Sequence, residues 1–151
     1  MTTAAKLTGL AIKSFILAGN ATFTVKNTAT GNRFTFRVIY GGKAETEPKP
    51  SFVKVLTGPE NTRDYTFIGT IFNRAEYRHG RRSQINRAAP SARAAEWFLT
   101  RVLLGVVLPD CIEVWHQGKC GRCGRALTVP TSLLEGLGPE CSARGELARA
   151  A

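Results

Sequence analysis

A chain of 151 residues, 43% apolar and 21% charged, has material for one ordinary hydrophobic core, which excludes a disordered or fibrous protein. Twenty-one lysines and arginines against eleven acids leave a net charge of +10, a balance that draws polyanions and argues against mimicry of nucleic acid. No stretch reaches the roughly 20 apolar residues of a membrane span.

The opening MTTAAKLTGLAIKSFILAGNA has a signal-peptide outline, but Lys13 splits its apolar run, so a cytoplasmic location in a bacterial host is expected. Residues 7–18 suit either a strand or a helix. Residues 21–39 alternate cleanly, with Phe23 and Val25, then Phe34, Phe36 and Val38, on either side of a Thr/Asn/Gly turn, and predict a β-hairpin. After the polar linker GGKAETEPKP (41–50), SFVKVL and DYTFIGTIF flank TGPENTR and predict a second hairpin. Beyond Phe72 the alternation dissolves. A helix then starts at Pro90 with Ser91 as its N-cap, carries Ala95, Phe98, Leu99, Val102, Leu103 and Val106 on one face, and stops at Gly105 and Pro109.

The fold class predicted is α+β: an antiparallel β-meander covered by one helix, with a C-terminal treble-clef-like zinc-binding module. The body is expected over 1–108, with a basic loop at 74–93, and the zinc module over 109–151.

HQGKCGRCGRALTVP carries the clearest chemistry. Cys120 and Cys123 are too close in sequence to staple a fold, and a cytosolic chain keeps thiols reduced. Two residues between them and seventeen before Cys141 is zinc-site spacing. His116 is the favoured fourth ligand, with Cys111 as the alternative. Gly121 and Gly124 flank Cys123, where a knuckle turn needs positive φ, and GLGPEC reads as a helix start that lowers the pKa of the Cys141 thiol. The zinc-deaminase signature fails, because His116 is followed by Gln117 and Gly118 and Lys119 precedes Cys120. No HExxH occurs. The expectation is a structural zinc and no catalytic residue.

The charge is uneven. Residues 74–93 hold six arginines against Glu76, half of the net excess, whereas residues 94–151 are balanced. Arg74, Arg78, Arg81, Arg82, Arg87 and Arg93 are guanidinium groups suited to phosphate. Tyr77 and His79 lie among them, Tyr77 as a stacking face. The bland reading is a solvated loop whose arginines pair with the protein's own acids, such as Glu96. An aromatic sheet face built from Phe23, Phe34, Phe36 and Phe67 is a further way to meet single strands, against the reading of these residues as core.

WHQGKCGRCGRALTVPTSLLEGLGPEC resembles the pattern W-H-x-G-x-C-G-x-C-G-R-x-L-T-x-P-x-S…G-(hydrophobic)-G-P-x-C of a zinc-ribbon-like family of phages, prophages and plasmids. The upstream FIGTIFN…YRHGRRS resembles segments preceding that motif in some members. The resemblance implies metal at Cys120, Cys123 and Cys141, with His116 as fourth ligand, and a mobile-element origin with no known reaction. Cys111 departs from the pattern.

Together these readings predict a non-enzymatic accessory protein of a phage or mobile element that holds Zn2+ and binds DNA or RNA through phosphate contacts. The alternatives are an inhibitor of a host defence complex, such as a CRISPR effector, acting by protein contact, and a metal-dependent hydrolase or nuclease using His79.

Overall fold

A computed structural model of the protein describes residues 5–41, 49–60, 63–122 and 136–137. The chain runs β1 (Ala5–Leu7), α1 (Leu10–Ile16), β2 (Asn20–Asn27), β3 (Arg33–Tyr40), β4 (Ser51–Leu56), β5 (Tyr65–Phe72), β6 (Glu76–His79), α2 (Pro90–Leu104) and β7 (Ile112–His116). The strands form one antiparallel sheet in the order β1-β7-β2-β3-β4-β5-β6.

The two hairpins follow from alternation. Phe23, Val25, Phe36 and Val38 face one side, and Thr24 and Thr35 meet across the other with hydroxyls 2.7 Å apart. Asn27 turns the first hairpin by accepting the N–H groups of Ala29 (2.9 Å) and Thr30 (3.3 Å) on Oδ1, and Gly31 takes φ 79° there. In the second hairpin a bulge after Val53 leaves Ile68 unpaired in the ladder and fully buried.

Both helices pack on the same side of the sheet. Phe98 of α2 and Phe15 of α1 meet Phe23 at 6.0 Å and 6.4 Å, and one core cluster joins both helices to the strands. Lys13, the cation that interrupts the apolar opening, donates from Nζ to the Leu103 carbonyl at the end of α2 (3.1 Å), where a cation suits the helix dipole.

The fold expected from sequence is corrected on three points. The meander β2-β3-β4-β5 is the middle of a seven-stranded sheet, with β6 on one side and β7 and β1 on the other, and two helices cover it rather than one. Ile112–His116, assigned above to a treble-clef-like module, is a strand of the main sheet, paired with β1 and β2. The rest of that expected module, with Cys123 and Cys141, lies outside the described residues apart from 117–122 and 136–137. Finally, α2 is preceded by Ala89, not capped by Ser91. Pro90 occupies the first turn, and Gly105 ends the helix at φ 74°. No described helix is long and apolar enough to cross a membrane.

Candidate functional site

Strand β7 delivers His116 into a glycine-rich corner. The strand period places Val114 and His116 on the covered face, so the imidazole is 1% exposed and its ring lies 5.5 Å from that of Phe15. Gly118, at φ 75°, turns its N–H back to donate to His116 Nδ1 (2.9 Å). An Nδ1 that accepts leaves the proton of the neutral ring on Nε2.

Cys120 follows, also 1% exposed, and its Sγ accepts the N–H of Arg122 at 3.4 Å. Gly121 then bridges two parts of the chain: its N–H donates to the Gly136 carbonyl (2.8 Å), and its own carbonyl accepts from Asn20 (2.7 Å). A Cβ at Gly121 or Gly136 would stand 2.7 Å or 2.4 Å from Phe15 Cδ2. Glycine is needed at both because Phe15 of α1 is wedged between them. Cys120 packs with Leu137 and Ala18 in a small apolar cluster of its own.

Two of the four expected ligands, His116 and Cys120, therefore share this corner, while Cys123 and Cys141 are outside the described residues. Among the described residues no three His, Cys, Asp or Glu side chains gather as a metal site.

Cys111 sits elsewhere. Its carbonyl accepts the Thr28 N–H (2.8 Å), whereas the Cys120 corner is tied to Asn20 at the opposite end of β2. Eight residues along one strand span about 26 Å. Two sulfurs on one tetrahedral zinc lie roughly 4 Å apart, since each Zn–S bond is about 2.3 Å. Cys111 and Cys120 cannot share an ion, and the alternative fourth ligand is excluded.

The arginine segment divides into two groups. Arg74, in the β5–β6 turn at φ 58°, donates from Nη1 to the Leu17 carbonyl (3.4 Å). Arg78 holds Glu76 (2.9 Å) and Arg87 holds Glu96 (2.7 Å). These pairs keep both guanidinium groups charged and the Glu96 carboxyl below the usual range, the hydrogen bond from Arg87 being the main cause for Glu96. The reading in which arginines pair with the protein's own acids thus holds for Arg78 and Arg87. Arg81, Arg82 and Arg93 are exposed and make no ion pair among the described residues.

Tyr77 is corrected. Alternation on β6 turns it inward, where it is 7% exposed and packs over Gly69, so it offers no stacking face. Burial, reinforced by Glu96, drives its phenol well above the usual tyrosine range against the pull of Arg87, and its OH has no hydrogen-bond partner among the described residues. His79 also points inward, opposite Gly69, with a buried Nδ1 that lacks such a partner. Its strand β6 packs against α2, and no described contact links His79 to the Cys120 corner. Of the aromatic face considered from sequence, Phe23 and Phe36 are core and Phe34 packs against it; only Phe67 lies on the other side.

The strand β7 and the residues 116–122 and 136–137 of the corner fall within a stretch that matches a family model. Residues 109–144 match the model of a family of unknown function (DUF6011). No curated protein and no solved structure matches the chain.

Proposed function

We propose that the protein is a nucleic-acid-binding accessory protein of a phage or other mobile element, with a carboxyl-terminal region organised by a structural zinc ion. The observation that carries the binding role is the placement of charge. In a chain of +10, Arg81, Arg82 and Arg93 stand exposed with no acid among the described residues to neutralise them. Guanidinium groups so placed contact phosphates with little sequence readout.

The corner fits a zinc ion through the chemistry of its donors. Sulfur and imidazole are the donors zinc prefers, and Cys120 and His116 are buried four residues apart, with the Cys120 sulfur accepting the Arg122 N–H. Cys120, Cys123, Cys141 and His116 would hold the ion, which would supply tail stability on the order of 10 kcal/mol, as in small zinc domains, and no reaction. Ligation by His116 Nε2 moves the ring proton to Nδ1, so the Gly118 N–H must then give up its present acceptor.

Titration against DNA and RNA at several salt concentrations tests the binding role. Three arginine contacts give a log–log slope of about −3, and all six of the segment give about −5. A flat salt response, or no binding at low salt, removes it. Elemental analysis of wild type beside Cys111→Ser and His116→Ala tests the metal: one zinc is expected in wild type and Cys111→Ser, with weakened retention in His116→Ala.

A further inference from the structure

With α1 and α2 on one side of the sheet, no described element packs on the other. That open face is basic in an unusual way. Lys26 stands directly opposite Arg33, and Arg37 directly opposite Lys54. Like charges in direct cross-strand register destabilise a sheet. Glu113 stands directly opposite Lys26 on β7 and offsets part of its charge, while forming its ion pair with Lys6 (3.3 Å). Lys26, Arg33 and Lys54 make no ion pair among the described residues. The charge of Lys26, Arg33 and Lys54 on one face is what an anionic occupant would relieve.

Aromatic rings are interleaved with these cations. Arg37 lies 4.2 Å over the Tyr65 ring, and Lys54 is opposite Phe67. Phe67 meets Phe52 at 6.4 Å, and Phe52 is 40% exposed. Trp115 stands on the same face, opposite Thr24. A groove of about 360 Å³ is bordered by Thr24, Arg33, Phe34, Thr35, Leu56 and Gln117. The arginine loop begins at the rim: Gly80 lies against the Phe67 ring, and Ser83 Oγ donates to the Phe67 carbonyl (2.7 Å).

We propose that this open face binds single-stranded nucleic acid, with Phe52 and Trp115 stacking unpaired bases and Lys26, Arg33 and Lys54 holding phosphates. The inference rests on the nucleic-acid reading above and moves its working surface from the loop to the sheet, leaving Arg81 and Arg82 to guide the strand at the rim. An exposed ring such as Phe52, with the partly exposed Trp115, serves a single strand and not a duplex, whose bases are already stacked.

The test uses the full chain and labelled oligothymidylate and oligouridylate of about 16 nucleotides, with a duplex of equal length. Both single strands bind at least about tenfold more tightly than the duplex. Arg33→Ala/Lys54→Ala weakens single-strand binding and flattens its log–log salt slope by about 1.4, from roughly 0.7 per lost contact. Phe52→Ser and Trp115→Ala each weaken it by about 5- to 100-fold without changing the slope, and urea melts establish that the variants are folded. If duplex and single strands bind alike, and these variants match wild type while Arg81→Ala/Arg82→Ala/Arg93→Ala weakens binding, the sheet-face proposal falls and the arginine-loop reading stands. If wild type binds neither form at low salt, both fall.

Discussion

Gly118 and His116 lock one another: the glycine N–H donates to the imidazole Nδ1 at 2.9 Å, and both residues are buried. The bond fixes which ring nitrogen carries the proton, and thereby makes the backbone two residues on a reporter of anything that takes Nε2. Adding one equivalent of zinc to metal-free protein is expected to shift the Gly118 amide resonance and to move the ring proton to Nδ1, as read in nitrogen-15 spectra. Stoichiometric zinc uptake with the Gly118 resonance unmoved would remove His116 from the ligand set.

Phe15 filling the space between Gly121 and Gly136 makes both glycines intolerant of a methyl group. Gly121→Ala should cost roughly 1–3 kcal/mol through overpacking. Gly136→Ala should cost more, because its φ of 72° adds about 1 kcal/mol of backbone strain for an L-residue. Gly105→Ala, at φ 74° with nothing within 4 Å, isolates the backbone contribution alone. Urea denaturation of the three variants checks the order, and adding Phe15→Leu to Gly121→Ala should recover part of its loss.

Tyr77 supplies a prediction that separates core from surface. Its buried OH lacks a hydrogen-bond partner among the described residues, so Tyr77→Phe should stabilise the fold by up to about 1 kcal/mol. Nucleic-acid affinity should stay unchanged. The phenol is held neutral in the folded protein, whereas an unfolded tyrosine ionises at about 10. Its contribution is therefore complete below pH 10 and is lost as pH rises beyond it. Denaturation curves between pH 8 and pH 11 should show a decline that Tyr77→Phe makes shallower.

The Arg87–Glu96 pair behaves in the opposite sense. Arg87 holds the Glu96 carboxyl below its ordinary range, so the pair stabilises above the unfolded glutamate pKa of about 4.3 and fades as pH falls through the lowered folded value. Glu96→Gln should lower the urea midpoint slightly at pH 7 and match wild type near pH 3. The effect is small because both side chains are largely solvated, at 70% and 40% exposure.

Local pattern made the middle of the sheet legible, and distance along the chain hid its flanks. Residues 21–39 and the pair SFVKVL and DYTFIGTIF alternate strongly because one face of each strand is core. β6 gave no such signal: in EYRH only Tyr77 is buried, and two of the other three residues are exposed. β1 and β7 meet across more than a hundred residues, with Leu7 opposite Val114, and no local window contains that pairing. In the candidate site, the spacing of His116 and Cys120 placed them in one corner, but spacing does not reveal that Cys111 leaves β7 at its other end. The like-charged pairs needed the register itself. Once Phe36 is known to face Val55, the opposition of Arg37 and Lys54 follows, and neither residue stands out when the strands are read singly.

The insertion of β7 between β1 and β2 has a consequence for biosynthesis. β1 has its sheet partner more than a hundred residues downstream, so it docks only after β7 has been synthesised. Until then β2 presents a bare hydrogen-bonding margin of the kind that recruits other nascent chains. Closure of the sheet by so distant a strand slows folding, and a nonsense codon upstream of residue 112 would leave β2–β6 with a sticky edge and β1 without its partner.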